Sequence, residues 1–426
     1  MQENASYEFP KGFLWGAATS AHQVEGNNHN DWTEWEQKSA KDKVESAKAK
    51  KWPVHILGRY PSPLQKENYI SRLACDHYNR FREDVDLARS LGHNAHRFSI
   101  EWSRIEPEEG VFDEKEIAHY REVLAALHGR GMEPFVTLWH WTLPLWVRDE
   151  GGWGNKKTIG YFLRYVEKLC QTLGKDIAFW MPLNEPGIYI GLGYLQAAQP
   201  PFVKSLHKAN TVFKHLMAAY RGAYAVIHAH YPASRVGLSH YAAHVIPYKN
   251  GLWNKVLASA LNYFRNGRFL NAVKNTNDFI GIQYYHTDFV NLKLGGRFGF
   301  FELKNPNTWL SDMGWQIYPE GIYYVVKQAA RYKKPIYITE NGVADARDVH
   351  RERFIKEHLQ WVCKAIQEGA DVRGYFYWSL LDNFEMPRLD GFWPRFGLCE
   401  VDYKTMERRV RPSALAYKRI CETNSL

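Results

Sequence analysis

The sequence predicts an α/β protein, specifically a (β/α)8 TIM barrel with extended βα loops. Short runs of β-branched and aromatic residues alternate with amphipathic helical patterns along the whole chain, an order typical of βαβ units and a parallel sheet. Eight such runs occur, and a chain of 426 residues is long enough for eight β/α units with extended loops. A doubly wound parallel sheet is the alternative fold.

The predicted strands are the runs at 13–18, 94–102, 134–141, 177–184, 235–240, 279–285, 335–340 and 374–381. Between them, apolar residues recur every three to four positions, which predicts one-faced helices around 81–91, 117–127, 162–173 and 354–366. A glycine follows each of these four segments, where helices commonly end: Gly92, Gly131, Gly174 and Gly369.

Two long segments interrupt this alternation, and both follow predicted strands. Residues 26–75 form a polar, Lys-rich insertion, and residues 286–320 form a Gly- and Asn-containing loop. Barrel enzymes build their sites at the C-terminal ends of strands, where these insertions lie. We find no internal repeat and no flexible linker, so we expect one domain over residues 1–426.

Composition places the chain among ordinary globular proteins. Hydrophobic residues make up 45% and charged residues 24%, which excludes the disordered and collagen-like classes. There is no uncharged apolar stretch of about 18 residues and no signal-peptide pattern at the start, so we expect a cytoplasmic protein without a membrane partner. Five widely spaced cysteines without a CxxC pair predict reduced thiols and no metal site.

The net charge of +9 raises the question of a nucleic-acid partner. The densest basic stretch, residues 41–51, also contains Asp42 and Glu45, and no nucleic-acid-binding motif accompanies it. We therefore interpret it as a solvated surface segment and expect no nucleic-acid partner. Aromatic residues reach 15%, and their flat apolar faces suit stacking.

Two glutamates end predicted strands on nearly opposite sides of the barrel. Glu185 follows the fourth strand and Glu340 ends the seventh. Each alone is also explained by a salt bridge or a helix cap. Together they suit cleavage of a glycosidic bond, in which one carboxyl protonates the leaving oxygen and the other attacks the anomeric carbon or activates water. A separation of about 5–5.5 Å between the two carboxyl groups gives retention of configuration at the anomeric carbon, and a wider separation gives inversion. The sequence leaves this distance open.

Six segments resemble glycoside hydrolase family 1, the β-glucosidase and β-glycosidase family. They are FPKGFLWGAATSAHQVEG at 9–26, RFSIEWSR at 97–104, HW at 140–141, NEP at 184–186, ITENG at 338–342 and WSLLDNFE at 378–385. The match runs in order from residue 9 to beyond Asp402.

This resemblance implies a retaining mechanism in two displacements. By the family pattern Glu340 is the nucleophile and Glu185 is the acid that becomes the base. Arg97 and Tyr285 are expected to keep Glu340 ionised, and Gln283 stands where the family usually has an Asn near the nucleophile. No cofactor or metal is required.

The resemblance also implies the side chains that hold the sugar of the non-reducing end, the glycone. Asn184 matches the residue that binds the 2-hydroxyl, and Trp378 matches the aromatic platform under the ring. The remaining expected glycone contacts are Gln23, His140, Trp141, Glu385 and Met386. Trp153 and Trp315 are either walls of the aglycone side or core residues.

The chain departs from the family pattern in the glycone pocket. Met386 replaces a Trp, and the loop from Glu385 to Gly391 is two residues longer than usual; Thr142 stands where many members have Asp. Because a thioether has no hydrogen-bond donor, we expect weak activity on plain β-glucosides and a preference for a modified or differently configured glycone.

The sequence therefore predicts a retaining β-glycosidase that hydrolyses terminal, non-reducing β-D-glycosyl residues of small saccharides or of aryl and alkyl glycosides. The presence of Glu385 favours an unphosphorylated sugar. The alternatives are a transglycosylase and a non-catalytic carbohydrate-binding member of the same fold. The preferred sugar, the aglycone and the oligomeric state stay open.

Overall fold

In the computed structural model, which describes residues 7–296 and 299–426, eight parallel strands close into a barrel. The strands of the described chain are β1 (Leu14–Ala18), β2 (Ala95–Ser99), β3 (Glu133–Thr137), β4 (Phe179–Met181), β5 (Arg235–Tyr241), β6 (His244–Pro247), β7 (Phe279–Gln283), β8 (Thr287–Gly296), β9 (Gly299–Lys304), β10 (Ile336–Asn341), β11 (Val372–Trp378), β12 (Cys399–Asp402) and β13 (Glu407–Val410).

The barrel confirms the predicted TIM fold. Its strand order is β1-β11-β10-β7-β5-β4-β3-β2, and β1 pairs with β2, which closes the sheet. The doubly wound alternative, an open sheet, is therefore wrong. All eight predicted strands occur, but most were predicted too long at the C-terminal end. The strand predicted at 177–184 is paired continuously only over Phe179–Met181, because the chain turns away there to form the barrel mouth.

The α-helices are α1 (Ala21–Val24), α2 (Asp31–Lys48), α3 (Val54–Leu57), α4 (His77–Ser90), α5 (Trp102–Ile105), α6 (Glu114–His128), α7 (Leu145–Asp149), α8 (Lys157–Leu173), α9 (Pro186–Ile190), α10 (Leu206–His230), α11 (Leu252–Asn262), α12 (Arg268–Val273), α13 (Glu320–Ala330), α14 (Arg351–Gln367) and α15 (Pro412–Thr423). The four predicted helices are α4, α6, α8 and α14.

Three of the four glycines after these helices have the left-handed φ that favours glycine, whereas Gly174 has a φ of −61°. Gly174 therefore ends α8 without adopting the left-handed conformation. A Cβ there would lie 2.3 Å from the ring of Tyr231, so this glycine provides space instead.

A layer of aromatic side chains fills the N-terminal end of the barrel. Phe135, Phe179, Phe279, Tyr337 and Phe376 come from five different strands and form one buried cluster. The rings of Phe135 and Phe179 stack at 4.1 Å with an interplanar angle of 12°. This plug accounts for part of the high aromatic content and leaves the opposite, C-terminal end of the barrel for a site.

About half of the insertion at 26–75 is helical, most of it in α2. Asn30 caps α2 through a capping box with Thr33, and α2 includes the basic residues up to Lys48. Most of the charged side chains of 41–51 are exposed, in agreement with a solvated segment. Lys43 differs, because it is half-buried and its Nζ donates to the backbone carbonyl of Arg388. This segment therefore contacts the loop that follows β11.

The segment predicted as a loop at 286–320 contains a β-hairpin instead. Strands β8 and β9 pair antiparallel, and β6 joins them in a three-stranded sheet. Val290 and Phe301 pack against Val245 and Leu257 in a small apolar cluster. The sequence prediction missed this hairpin because its stability depends on packing against distant residues of β6 and α11.

Within the described residues, no helix is long and apolar enough to cross a bilayer. The five cysteines form no disulfide in the described residues, and their reduced state stays a prediction. The single-domain assignment and the cytoplasmic location stay predictions.

Replacing Phe135 by Ala removes a fully buried ring from the aromatic layer. We expect the free energy of unfolding to fall by about 3–5 kcal/mol, measured by thermal or denaturant unfolding, because a large cavity is left in the core. The control is Phe264→Ala, whose ring is 57% exposed and whose loss is expected to change stability by less than about 0.5 kcal/mol. Equal losses in both variants would contradict a structural role of the layer.

Candidate active site

The two glutamates lie at the C-terminal mouth of the barrel, as predicted. Glu340 belongs to β10 and is 4% exposed, and Glu185 follows β4 and is 6% exposed. Glu185 has a φ of +41° directly before α9, and Pro186 occupies the first position of that helix. This left-handed residue begins the turn into α9 and leaves the Glu185 side chain at the mouth.

Both carboxylate oxygens of Glu340 accept hydrogen bonds. Its Oε1 forms an ion pair with Arg97 and accepts from Gln283 Nε2 at 2.6 Å, and its Oε2 accepts from the Tyr285 hydroxyl at 2.6 Å. Burial raises the pKa of Glu340, and these three donors oppose that rise because they stabilise the charged form. The longer amide of Gln283 therefore keeps a direct contact with this carboxylate.

Glu185 has a different environment. Its Oε1 is buried and has no hydrogen-bond partner in the described part of the chain. Burial raises the pKa of Glu185 well above its ordinary value, and the charge of Glu340 raises it further. When the two carboxyl groups share one proton, the proton therefore resides on Glu185.

Asn184 links the carboxylate to a histidine. Its Oδ1 accepts from Arg97 Nη2 at 2.6 Å and from Gln283 Nε2 at 2.8 Å, so its Nδ2 must donate to His140 Nε2 at 3.1 Å. His140 Nε2 is then an acceptor, and the proton of the neutral ring is on Nδ1. Burial and the nearby Arg97 lower the pKa of His140 well below its usual range.

The Nδ1 atom of His140 is buried and has no partner among the described residues, so it is free to donate to a ligand. The His140 ring lies nearly parallel to Trp378, with centroids 6.2 Å apart and an interplanar angle of 22°. Trp141 has a φ of +79° and donates from its indole to the Asn184 carbonyl at 3.0 Å. The structure thus brings these predicted glycone residues together.

Glu385 lies beside Trp378, whose Nε1 donates to Glu385 Oε1 at 3.3 Å. Burial raises the pKa of Glu385 to about 8, with contributions from Asp390 and Glu340. This carboxyl therefore holds its proton more strongly than an exposed glutamate does.

The amide of Gln23 is engaged within the protein. Its Nε2 donates to the Phe384 carbonyl at 2.7 Å and to Asn383 Oδ1 at 3.1 Å, and its Oε1 accepts from Ser20 at 2.6 Å. These bonds place Gln23 against the segment that leads to Glu385. A role for Gln23 in sugar binding stays a prediction.

The loop after Glu385 is closed by two backbone hydrogen bonds. Glu385 N donates to the Gly391 carbonyl at 2.8 Å, and Gly391 N donates to the Glu385 carbonyl at 2.9 Å. Met386, inside this loop, is 0% exposed and belongs to the main apolar core. This is a core-packing position, and the expected effect of Met386 on sugar preference stays a prediction.

The two aglycone candidates have different surroundings. Trp153 is fully buried and packs against Trp139 and Phe162, which is a core position. Trp315 is half-buried and contacts the ring of Tyr285, with centroids 5.9 Å apart. Only Trp315 lies beside a residue of the site.

Sequence reasoning missed Ser239. Its Oγ accepts from Gln283 Nε2 at 2.9 Å and forms a hydrogen bond with Thr339 at 3.2 Å, so it holds the amide that contacts Glu340. The available signal was a serine within the otherwise apolar run VGLS of the fifth strand.

Comparisons with known proteins identify relatives of this chain. The family model described as glycosyl hydrolase family 1 matches residues 5–273 and 264–426. The chain is 32% identical to Beta-glucosidase A of Thermotoga maritima over 98% of this chain and 99% of that protein, and 29% identical to Beta-galactosidase of Pyrococcus woesei over 98% and 97%.

The fold is similar to a solved beta-glycosidase from Pyrococcus horikoshii, with a TM-score of 0.87 and 39% identity over 99% of this chain and 96% of that one. Beta-glucosidase from Thermotoga maritima in complex with deoxynojirimycin has a TM-score of 0.86 and 29% identity over 99% of this chain and 100% of that one.

Replacing Gly391 by Ala tests the closure of the Glu385 loop. Gly391 has a φ of +82°, and a Cβ there would lie 1.9 Å from the Asn68 carbonyl oxygen. We expect the variant to lose stability and to displace the loop. The control is Gly369→Ala, with a φ of +89° and open space around the Cβ, which carries the backbone strain alone.

Thermal unfolding of both variants measures the difference. We expect Gly391→Ala to be less stable than Gly369→Ala by about 1–3 kcal/mol, the usual cost of overpacking. Equal stabilities would show that the Asn68 segment moves freely and does not hold the loop.

Proposed function

The chain belongs to glycosyl hydrolase family 1 and is a glycoside hydrolase of the β-glucosidase and β-glycosidase type, and from this premise we propose that it hydrolyses terminal, non-reducing β-D-glycosyl residues with retention of configuration. The substrates would be small saccharides or aryl and alkyl glycosides. The reaction would require no cofactor or metal, because two carboxyl groups supply all of its acid, base and nucleophilic steps.

One observation supports this proposal above the others, namely the unequal environments of the two buried carboxyl groups. Glu340 receives three hydrogen bonds, one of them from a cation, whereas Glu185 Oε1 has no partner in the described residues. A nucleophile must be ionised and a general acid must carry a proton. The environments favour Glu340 for the first role and Glu185 for the second.

In the first displacement, Glu185 gives its proton to the glycosidic oxygen while Glu340 attacks the anomeric carbon. The bond between that carbon and the leaving oxygen breaks, the aglycone leaves as an alcohol, and the sugar is held as an ester of Glu340. Arg97, Tyr285 and Gln283 orient the attacking carboxylate, because they contact both of its oxygens.

In the second displacement, Glu185 acts as the base. Ester formation removes the negative charge of Glu340, which is one of the two main causes of the raised pKa of Glu185. The pKa of Glu185 therefore falls, and its carboxylate accepts a proton from the water that attacks the anomeric carbon. Cleavage of the ester bond returns Glu340 to its ionised form, and two inversions give net retention.

The remaining predicted residues would bind the glycone. Trp378 offers a flat apolar surface, the free Nδ1–H of His140 offers a donor, and the carboxyl group of Glu385 offers hydrogen-bonding oxygen atoms. Asn184 would bind the 2-hydroxyl, as the family pattern implies. Beta-glucosidase from Thermotoga maritima has been solved with glucoimidazole and with deoxynojirimycin, and we expect this pocket to bind the same compounds.

A transglycosylase would use the same residues and differs only in the acceptor that attacks the ester. Product analysis with an added alcohol separates the two, because a transglycosylase transfers the sugar mainly to the alcohol. A binding protein without activity is disfavoured, since both carboxyl groups are present and differ in environment as the mechanism requires.

Variants of the two glutamates test the mechanism. In Glu185→Ala, glycosides with good leaving groups should still react with Glu340, because their departure needs little protonation, and added azide should release a β-glycosyl azide. The alkaline decline of the pH profile, which reports loss of the proton from Glu185, should disappear. Nuclear magnetic resonance of the product measures its configuration.

The matched control is Glu340→Ala, in which we expect no turnover and no β-azide, with an unchanged far-ultraviolet circular dichroism spectrum. An α-azide from Glu185→Ala would indicate direct displacement by an inverting route. Substantial turnover by Glu340→Ala would contradict the nucleophile assignment.

The substitution Met386→Trp tests the altered glycone loop. An indole at this position adds a donor that methionine lacks, and a regained hydrogen bond of about 1 kcal/mol would raise kcat/KM for a nitrophenyl β-glucoside about fivefold. The wild-type chain should in turn prefer another glycone in a panel of nitrophenyl β-glycosides. High β-glucosidase activity in the wild type, unimproved by this substitution, would show that Met386 does not set the preference.

A further inference from the structure

The turn that carries His140 and Trp141 adopts an unfavourable backbone conformation. Trp141 has a φ of +79°, a left-handed region that residues with a Cβ avoid. Such a conformation persists only where surrounding contacts hold it. The contacts around Trp141 therefore determine where the two site residues of this turn point.

Two of those contacts act on Trp141 itself. Its indole donates to the Asn184 carbonyl at 3.0 Å, and its ring stacks on Trp32 of α2 with centroids 6.4 Å apart and an angle of 25°. A third contact acts on the next residue. The Thr142 hydroxyl donates to both carboxylate oxygens of Glu101, at 3.0 Å and 2.9 Å.

Glu101 is itself held firmly and is almost completely buried. Its Oε1 also accepts from Ser103 Oγ at 2.7 Å and from Asn30 Nδ2 at 3.3 Å, and its backbone N–H donates to the Tyr120 hydroxyl at 3.0 Å. The Asn30 amide has a defined orientation, because its Oδ1 accepts from the first backbone N–H groups of α2.

The side-chain hydrogen bonds that Glu101 accepts come from neutral groups. Burying a carboxylate is costly unless it is hydrogen-bonded, and these groups supply the hydrogen bonds. The contacts of Glu101 lead to the site, through Thr142 and Trp141 to Asn184, which bonds to Arg97 beside Glu340.

We propose that Glu101 is a positioning residue for the glycone pocket, which acts through Thr142 to hold the strained turn of Trp141 so that His140 faces the sugar. This inference rests on the proposed glycosidase function. Glu101 and Thr142 touch no reacting group; their effect on catalysis passes through the orientation of His140 and Trp141.

The substitution Thr142→Val removes the hydroxyl and nearly keeps the side-chain volume. We expect kcat/KM for a nitrophenyl β-glycoside to fall about five- to tenfold, the effect of one hydrogen bond. Thr142→Ser keeps the hydroxyl and should stay within about twofold of the wild type. The matched control is Thr158→Val in α8, which loses a buried hydroxyl bond to the Gly152 carbonyl and should keep the wild-type kcat/KM.

A double-mutant cycle with His140→Ala separates positioning from a merely structural role. If the Glu101–Thr142 contact acts through His140, Thr142→Val should reduce kcat/KM by less than about twofold when His140 is already absent. A merely structural role, or an effect confined to stability, predicts that Thr142→Val lowers kcat/KM by the same factor with and without His140. Additive losses, or no loss in Thr142→Val alone, would overturn the proposal.

If Thr142→Val does not fold, as judged by circular dichroism and thermal unfolding, Glu101→Gln replaces it in the cycle with the same criteria. A wild-type chain that hydrolyses no β-glycoside would overturn the proposed function and this inference with it. A wild-type chain that is active, with additive losses in the cycle, would overturn the positioning role alone.

Discussion

The candidate site depends on the buried ion pair between Arg97 and Glu340. Both side chains are almost completely removed from solvent, and a pair of this kind stabilises a protein only when its remaining hydrogen-bonding groups are also satisfied. Tyr285 and Gln283 satisfy the carboxylate, and Asn184 accepts the second bond from the guanidinium, whose Nε alone has no partner among the described residues. The pair therefore requires four strand ends to meet at one point, which a closed barrel provides.

The same pair determines the chemical difference between the two glutamates. Arg97 and its neighbours stabilise a charge on Glu340, whereas burial raises the pKa of Glu185, whose Oε1 has no partner among the described residues. It also determines the orientation of Asn184 and hence the tautomer of His140, since the amide oxygen is occupied by Arg97 and Gln283. Arg97 and Gln283 together thus specify which atoms of Asn184 and His140 donate and which accept.

Stability and function are separated along the barrel axis. The N-terminal end is closed by stacked aromatic rings that contribute apolar burial, whereas the C-terminal end holds buried charges and left-handed residues at Trp141 and Glu185. These features are unfavourable for folding and persist because the rest of the barrel is well packed. The inserted helix α2 supports that end through Asn30, Trp32 and Lys43, which contact Glu101, Trp141 and the carbonyl of Arg388 respectively.

The sequence by itself determined the number and order of the barrel strands, the family, and the segments that supply the candidate site, because periodic patterns and motifs such as NEP and ITENG depend only on neighbouring residues. It did not determine where the strands end, the β8–β9 hairpin, the space-filling role of Gly174 or the burial of Met386. It also missed Ser239 and the contact between Thr142 and Glu101. Each of these depends on groups far apart in the chain that meet only when the barrel closes, so burial and hydrogen-bond partners were decided by the tertiary structure.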